Sequence, residues 1–168
     1  MSKTGFQTIS TDFGQVIEKY WDMVFRIALN YYNNRSDAED TTQDVMFKLY
    51  KSFCLDGKCF ENDEHMRNWL IRVTINMCKS ILRSFWRSKS TSLDELPETA
   101  VFDTPEQSEL FQAVMSLPEQ HRIVLYLYYY EDLPTKAIAE VLNQKEAHIR
   151  TRISRARNKL KEVWQDEE

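Results

Sequence analysis

Two stretches of this sequence carry cations with almost no anions among them. Arg67, Arg72, Lys79, Arg83, Arg87 and Lys89 fall between Met66 and Ser90, where no acidic residue occurs. Lys145, Arg150, Arg152, Arg155, Arg157, Lys159 and Lys161 follow later, with Glu146 alone against them. Thirteen of the chain's 22 Lys and Arg lie in these two blocks, although its formal net charge is -4. The chemistry this permits is polyanion binding, because a phosphate backbone responds to a local patch and not to the mean charge. Two separated blocks point to two contacts on one long ligand.

Other side chains within these blocks bear on how such a ligand is read. Trp69, Phe85 and Trp86 are interleaved with the first block's cations, and aromatic rings among cations can stack on unpaired bases. Packing against a neighbouring helix accounts equally well for them, and Trp69 falls on an apolar stripe that fits a core. Asn76 stands in the same block. An Asn amide can read a base edge through two hydrogen bonds, though alone it is an ordinary surface residue. Asp37, Glu39, Asp40 and Asp44, with Gln43 among them, make the opposite kind of surface. Acids in a first helical turn complement the helix dipole. These continue to Asp44, which also fits a basic protein partner.

The elements that must position these groups read as helices. Phe13, Val16, Ile17, Tyr20, Trp21, Val24, Phe25 and Ala28 recur at helical spacing. Ser36 and Glu39 have the spacing of a capping box for a second helix carrying Ala38, Val45, Met46, Leu49, Tyr50 and Phe53. A polar loop with Gly57 leads to a third helix, from about residue 65 to 87, with Trp69, Leu70, Val73, Met77, Ile81 and Leu82 as its apolar face. Residues 90–109 then contain six acids, no base, and frequent Ser, Thr and Pro, the composition of an acidic linker. Thr104, Pro105 and Gln107 form a helix start. Further helices are expected over 110–117, 119–130, 135–142 and 145–164.

The last two have helix-turn-helix proportions. Ala137, Ile138, Val141 and Leu142 face inward on the short one, and Asn143 stands where a left-handed residue is needed. On the long one, Ile153, Ala156, Leu160 and Val163 project within roughly 40° of Ile149 at helical period. Arg150, Arg157 and Lys161 flank one side of that stripe. Arg152, Arg155 and Lys159 flank the other, and Thr151, Ser154 and Asn158 lie between, pointing away from the core. Cationic edges around a short polar centre suit a helix in a major groove, with phosphates at the edges and bases at the centre. His148 is a groove candidate on the same helix, while His65 and His121 read as surface residues.

With three Gly and four Pro, 42% hydrophobic residues and few alternating runs, the chain is expected to be all-α. The fold is two small helical domains, 1–90 and 105–168, joined by a flexible acidic linker over 91–104. No apolar run approaches the roughly 18 residues of a membrane span, and the N-terminus lacks a signal-peptide core. A cytoplasmic protein with reduced Cys54, Cys59 and Cys78 is expected. No metal site, cofactor or catalytic pair is expected, and the chain reads as a non-enzyme without a small-molecule substrate.

Three stretches in order resemble one family. DAEDTTQDVMFKLYKSF (37–53), MRNWLIRVTINMCKSILR (66–83) and LPEQHRIVLYLYYYEDLPTKAIAEVLNQKEAHIRTRISRARNKLKE (117–162) are similar to the core-binding helix, the −10 helix and the −35 module of the group IV, extracytoplasmic-function sigma factors of bacterial RNA polymerase. The resemblance implies a sigma-2-like and a sigma-4-like domain, with core RNA polymerase, promoter DNA and an anti-sigma factor as partners. It implies that Asp40, Gln43 and Asp44 face the clamp helices of the largest polymerase subunit. It places Asn76 beside a pocket for a base flipped from the −10 strand, with the loop 55–63 forming that pocket. Lys79, Arg83 and Arg87 would join Asn76 on −10 DNA. Arg150, Thr151, Ser154 and Arg155 match positions that read the −35 groove, and His148 and Asn158 complete that face. The chain departs from the family pattern at Pro134 and Asn143, and at Ala147 and His148, which replace a common Gly-Thr pair. Two other readings fit the residues alone: a stand-alone helix-turn-helix regulator, and a helical protein-interaction module whose basic faces meet an acidic partner.

Overall fold

Two consecutive asparagines make the first corner of the structure. The computed structural model describes residues 13–88 and 105–165, and for 105–108 the backbone only. Helix α1, Phe13–Tyr32, ends at Asn33, which takes a left-handed φ of 50°. Such a conformation costs most L residues about 1–2 kcal/mol, and Asn tolerates it best after Gly. Asn34 is extended, and its side chain accepts the Asp37 backbone N–H at 3.0 Å, capping α2, Arg35–Tyr50. The expected capping box at Ser36 and Glu39 is therefore corrected. Ser36 lies inside the helix, and Glu39 is paired with Arg35 at 2.9 Å.

The chain divides into two compact units, Met1–Leu96 and Pro97–Glu168. In the first, α2 runs on into a single π-helical turn, Lys51–Leu55, and the chain leaves it through Gly57 at φ +67°. Helix α3, Asp63–Ser88, follows after a loop. The Asn62 side chain accepts the His65 N–H at 2.8 Å at its start. Asp63 is fixed from α1: Lys19 Nζ lies 2.6 Å from its carboxylate, and the Tyr20 hydroxyl donates to the same oxygen. These two donors, the lysine first, hold the Asp63 carboxyl below its usual range. The core between the three helices is Val24, Ile27 and Ala28 of α1, Ala38, Val45 and Leu49 of α2, and Leu70, Ile71, Ile75 and Cys78 of α3, all essentially free of solvent.

The core face of α3 differs from the one expected. Met66, Leu70, Ile71, Thr74, Ile75 and Cys78 are buried, whereas Trp69, Val73 and Met77 are half-buried and Ile81 is exposed. Thr74 fits inside because its hydroxyl bonds the Leu70 carbonyl at 2.7 Å. Tyr50 at the end of α2 is likewise exposed, and Phe53, in the π-helical turn that follows, is only half-buried. Thr41 and Thr42 are buried instead, bonded to the Tyr32 hydroxyl and the Ala38 carbonyl.

The second unit contains α4, Pro105–Met115, α5, Glu119–Leu125, with a π-helical extension over Tyr126–Tyr130, α6, Thr135–Leu142, and α7, Glu146–Gln165. Arg122 is buried yet donates to the Met115 and Leu117 carbonyls, closing the end of α4. Asn143 adopts φ 53° as the sequence requires, its N–H bonding Glu140 and the Gln144 N–H bonding Ala139. Ala139 turns inward on α6, in place of Ala137. Helix α7 packs against α5 and α6, and Ile149, Ile153 and Ala156 of α7 are buried together with Ile123 and Val124 of α5 and Ile138 of α6. Thr104 and the 91–104 linker lie outside the described residues, as does the Gln107 side chain.

His121 is not on the surface, as its sequence context implied. It is 7% exposed, lies beneath α7 with a hydrogen bond to the Arg152 backbone, and its Nδ1 has no partner. Burial, then the nearby Lys159, Arg152 and Arg155, push its pKa below 6.5. The unfolded chain therefore binds this proton more readily, so folding stability declines as pH falls from about 6.5 toward the folded value and is unaffected above it. His121 is expected to titrate below 6.5 in an NMR pH series, and the decline of Tm below that pH should be shallower in His121→Gln. A ring titrating above 6.5 would contradict the burial argument.

Candidate nucleic-acid interface

Three outward faces collect the residues that the sequence marks for binding. On α2, Asp40, Gln43 and Asp44 are all exposed on one face. Asp37, Asp40 and Asp44 lead along it to Phe47, which is 61% exposed with the Lys51 ammonium 5.4 Å from its ring centre. Phe47 sits seven, four and three residues after Asp40, Gln43 and Asp44, and that spacing is the signal that could have found it. The buried stripe of Ala38, Thr41, Thr42, Val45 and Leu49 turns this face to solvent.

On α3, the buried stripe turns Arg72, Asn76, Arg83 and Arg87 outward, all exposed. Asn76 lies on the face opposite Leu70, Thr74 and Cys78. Arg72, four residues before Asn76, joins the expected set, whereas Lys79 stands to the side and is half-buried. Phe85 and Trp86 are exposed near the helix end, their rings edge-to-face at 6.0 Å. Lys89 lies outside the described residues.

The loop between α2 and α3 is anchored by one ring. Phe60 is buried at 2% exposure, stacks on Phe53 at 6.2 Å, and meets Trp69 and His65 edge-on at 5.5 and 5.4 Å. Lys58 sits over the Trp69 and Phe60 rings, 4.8 and 5.8 Å from their centres. His65, exposed as expected, accepts the Glu61 N–H through Nδ1. Aromatic contacts of this kind add about 0.5–1.5 kcal/mol each beyond area burial. The flanking residues 56–59, 61 and 62 remain exposed, Cys59 among them.

On α7, Thr151, Ser154 and Asn158 are exposed on the face opposite Ile149, Ile153 and Ala156, with His148 and Arg155 exposed on one flank. Arg150 is exposed on the other flank, its Nη2 2.8 Å from Glu146. Arg157, on the same flank, donates to the Tyr129 hydroxyl at 3.1 Å. At the turn, Asn143, Gln144, Lys145, His148 and Arg152 line an open depression. Its cationic rim suits phosphate oxygens, and its place before the α7 N-terminus adds to that. Glu146 accepts from Thr135 at 2.7 Å and from Arg150, and these bonds, Thr135 first, hold its carboxyl below the usual range. Among the described residues no cluster of His, Cys, Asp and Glu could hold a metal, and no helix is long and apolar enough to cross a membrane.

Comparison with known proteins gives this geometry a family. The family models "Sigma-70 region 2" and "Sigma-70, region 4" match residues 16–88 and 107–160, together well over half of the chain. The ECF RNA polymerase sigma factor SigE of Mycolicibacterium smegmatis is 28% identical over 170 residues, covering 95% of this chain and 64% of that protein. SigW of Bacillus subtilis is 24% identical over 171 residues, covering 92% and 89%. Among solved structures, the sigma factor RpoE of Bartonella quintana, in complex with the anti-sigma factor NepR, matches with a TM-score of 0.78 at 21% identity, over 92% of this chain and 97% of that one. CnrH, in complex with the cytosolic domain of CnrY, matches with a TM-score of 0.63 at 21% identity, over 93% and 89%. These last two speak for the all-α fold, and the two family models carry the assignment: the chain belongs to the sigma-70 family, in its extracytoplasmic-function branch of RNA polymerase sigma factors.

Proposed function

We propose that this chain is a promoter-specificity subunit whose work is divided among the three outward faces. The acidic face of α2, with Asp40, Gln43, Asp44 and Phe47, docks on core RNA polymerase. The outward face of α3, with Arg72, Asn76, Arg83 and Arg87 and with Lys79 at its side, engages the −10 element beside the loop anchored by Phe60. The outward face of α7, with His148, Arg150, Thr151, Ser154, Arg155 and Asn158, enters the −35 major groove. The single observation that supports this most is the segregation on α3 and α7: cations and short polar side chains face outward, away from the buried stripe of each helix. The first domain would end near residue 90 and the second begin near 105. A subunit of RNA polymerase works in the cytoplasm and needs no catalysis of its own. The structure of RpoE bound to the anti-sigma factor NepR supports an anti-sigma protein as a partner for this chain as well. A stand-alone regulator would bind duplex DNA without polymerase, and an interaction module would bind neither.

Reconstitution with core polymerase separates these readings. The chain should co-elute with core polymerase and support promoter-specific transcripts. Asp40→Arg and Asp44→Arg should each weaken that association on the order of tenfold while leaving the helical content intact, since charge reversal costs several kcal/mol at a desolvated contact and little at an exposed rim. Co-elution unchanged in both variants would remove α2 as the docking face.

Asn76→Ala is expected to impair promoter opening more than −35 engagement. Extruding a base costs a few kcal/mol of stacking and pairing, which contacts in the receiving pocket must offset. Permanganate reactivity of bubble thymines should fall in the variant. A normal bubble would return Asn76 to an ordinary surface role.

On α7, Arg150 and Arg155 should separate in kind from Lys161. Losing a bidentate Arg–guanine contact costs about 1–3 kcal/mol and relaxes preference at one base pair. Losing Lys161 should weaken all sequences alike and flatten the salt dependence by about one unit. Transcription by holoenzyme from a randomised −35 library, with the −10 element constant, reads both. Uniform losses for both arginine variants would make them phosphate contacts.

A further inference from the structure

Glu146 is the lone acid among the seventeen residues from Lys145 to Lys161, and it begins the helix that carries most of the unit's cations. A carboxylate there works against phosphate binding. An acid in a first helical turn favours the helix dipole, but Asp, Ser or Thr would serve that end too. What distinguishes Glu146 is its geometry. One oxygen, Oε1, accepts from Thr135 Oγ1 at 2.7 Å and from Arg150 Nη2 at 2.8 Å. Thr135 opens α6 and Arg150 lies one turn into α7, so the carboxylate spans the helix-turn-helix and is fixed from both sides. The Arg150 side chain is otherwise 69% exposed and stands to the flank of the outward face. Untethered, an exposed arginine samples many rotamers and must lose that freedom when it binds. Tethered at one nitrogen, it keeps its other guanidinium donors for a ligand, in an orientation set by the protein.

We propose that Glu146 is a specificity-determining positioning residue for −35 recognition: anchored by Thr135, it holds Arg150 in the orientation that reads a base edge. This rests on the assignment of α7 to the −35 groove. The carboxylate gives up uniform attraction to DNA and gains discrimination between base pairs, because it repels every phosphate backbone alike yet aids only the sequence that Arg150 can bond. Two effects of opposite sign follow. Removing Glu146 raises affinity for all sequences and lowers preference at the base pair read by Arg150. A residue that merely supported the fold would lower both.

The test uses the full chain in holoenzyme, a −35 library of randomised duplexes and a constant −10 element, with sequencing of transcripts and binding measured across salt concentrations. Glu146→Ala should reduce discrimination at one position about fivefold, the scale of a weakened bidentate contact, while binding to unrelated duplexes tightens. Glu146→Gln retains an oxygen that both donors can reach. It should keep discrimination within about twofold of the parent while showing the same tightening from the lost charge. In an Arg150→Ala background, Glu146→Ala should cause no further loss of preference. If Arg150→Ala changes preference and Glu146→Ala does not, the positioning role is overturned and the −35 assignment of Arg150 stands. If Arg150→Ala changes no preference, the base-reading assignment itself fails, and the positioning role with it. Uniform loss of output in Glu146→Ala with a lowered Tm, not repaired by Gln, would make Glu146 a structural residue and overturn the proposal.

Discussion

Everything this chain offers to a partner depends on apolar burial along one side of each long helix. Helix α7 carries six of the second unit's cations, and mutual repulsion among them opposes helix formation. Ile149, Ile153 and Ala156 offset this by packing against α5 and α6 with almost no exposure. Burial of side chains of that size contributes about 1.5–3 kcal/mol each for the two isoleucines. The same arrangement operates in α3, where Leu70, Ile71, Ile75 and Cys78 hold Arg72, Asn76 and Arg83 facing away from the bundle. The cations are not placed by bonds to one another. They are placed by what lies behind them.

That logic was legible for α7 and only partly so for α3. In α7 every apolar residue of the stripe is inward and every cation outside it, so period alone gives the face. In α3 several apolar residues point away from the core. Trp69 serves the neighbouring loop through Phe60, and Ile81 is exposed. Including them rotated the expected face, and Thr74 was passed over because its buried hydroxyl is satisfied by its own helix. Asn76 nevertheless stood among the expected binding residues, through the resemblance of residues 66–83 to the −10 helix and not through the apolar period.

Local signals behaved similarly. Asn143 could be read at the turn because a left-handed residue before a new helix has few substitutes. The first corner misled because Ser36 and Glu39 have the spacing of a cap, while the adjacent Asn34 makes the actual bond. His121 was read as exposed because three polar neighbours surround it in sequence. In space, the short α5 turns it and the buried Arg122 inward, where one meets the backbone of α7 and the other the end of α4. Neither contact has a periodic signature, since both depend on how separate helices pack. Glu146 stands out in sequence as the lone acid of its block, but its tie to α6 does not, for the same reason: Thr135 and Glu146 are eleven residues apart and meet only because the turn at Asn143 folds back.

The loop between α2 and α3 has a further consequence through its attachment. Its path is secured by a single inward ring, Phe60, held among Phe53, His65 and Trp69, while its flanking residues are exposed. Asp56, Cys59 and Glu61 can therefore be exchanged over generations at little thermodynamic expense to the three-helix unit, whereas Phe60 cannot, and Lys58 carries its contact with the Trp69 and Phe60 rings. Such a division lets descendants of one ancestral gene diversify the chemistry displayed at this edge while inheriting an unchanged scaffold. It also makes the loop a natural target for grafting, in which the ring is retained and the residues on either side are drawn from another sequence.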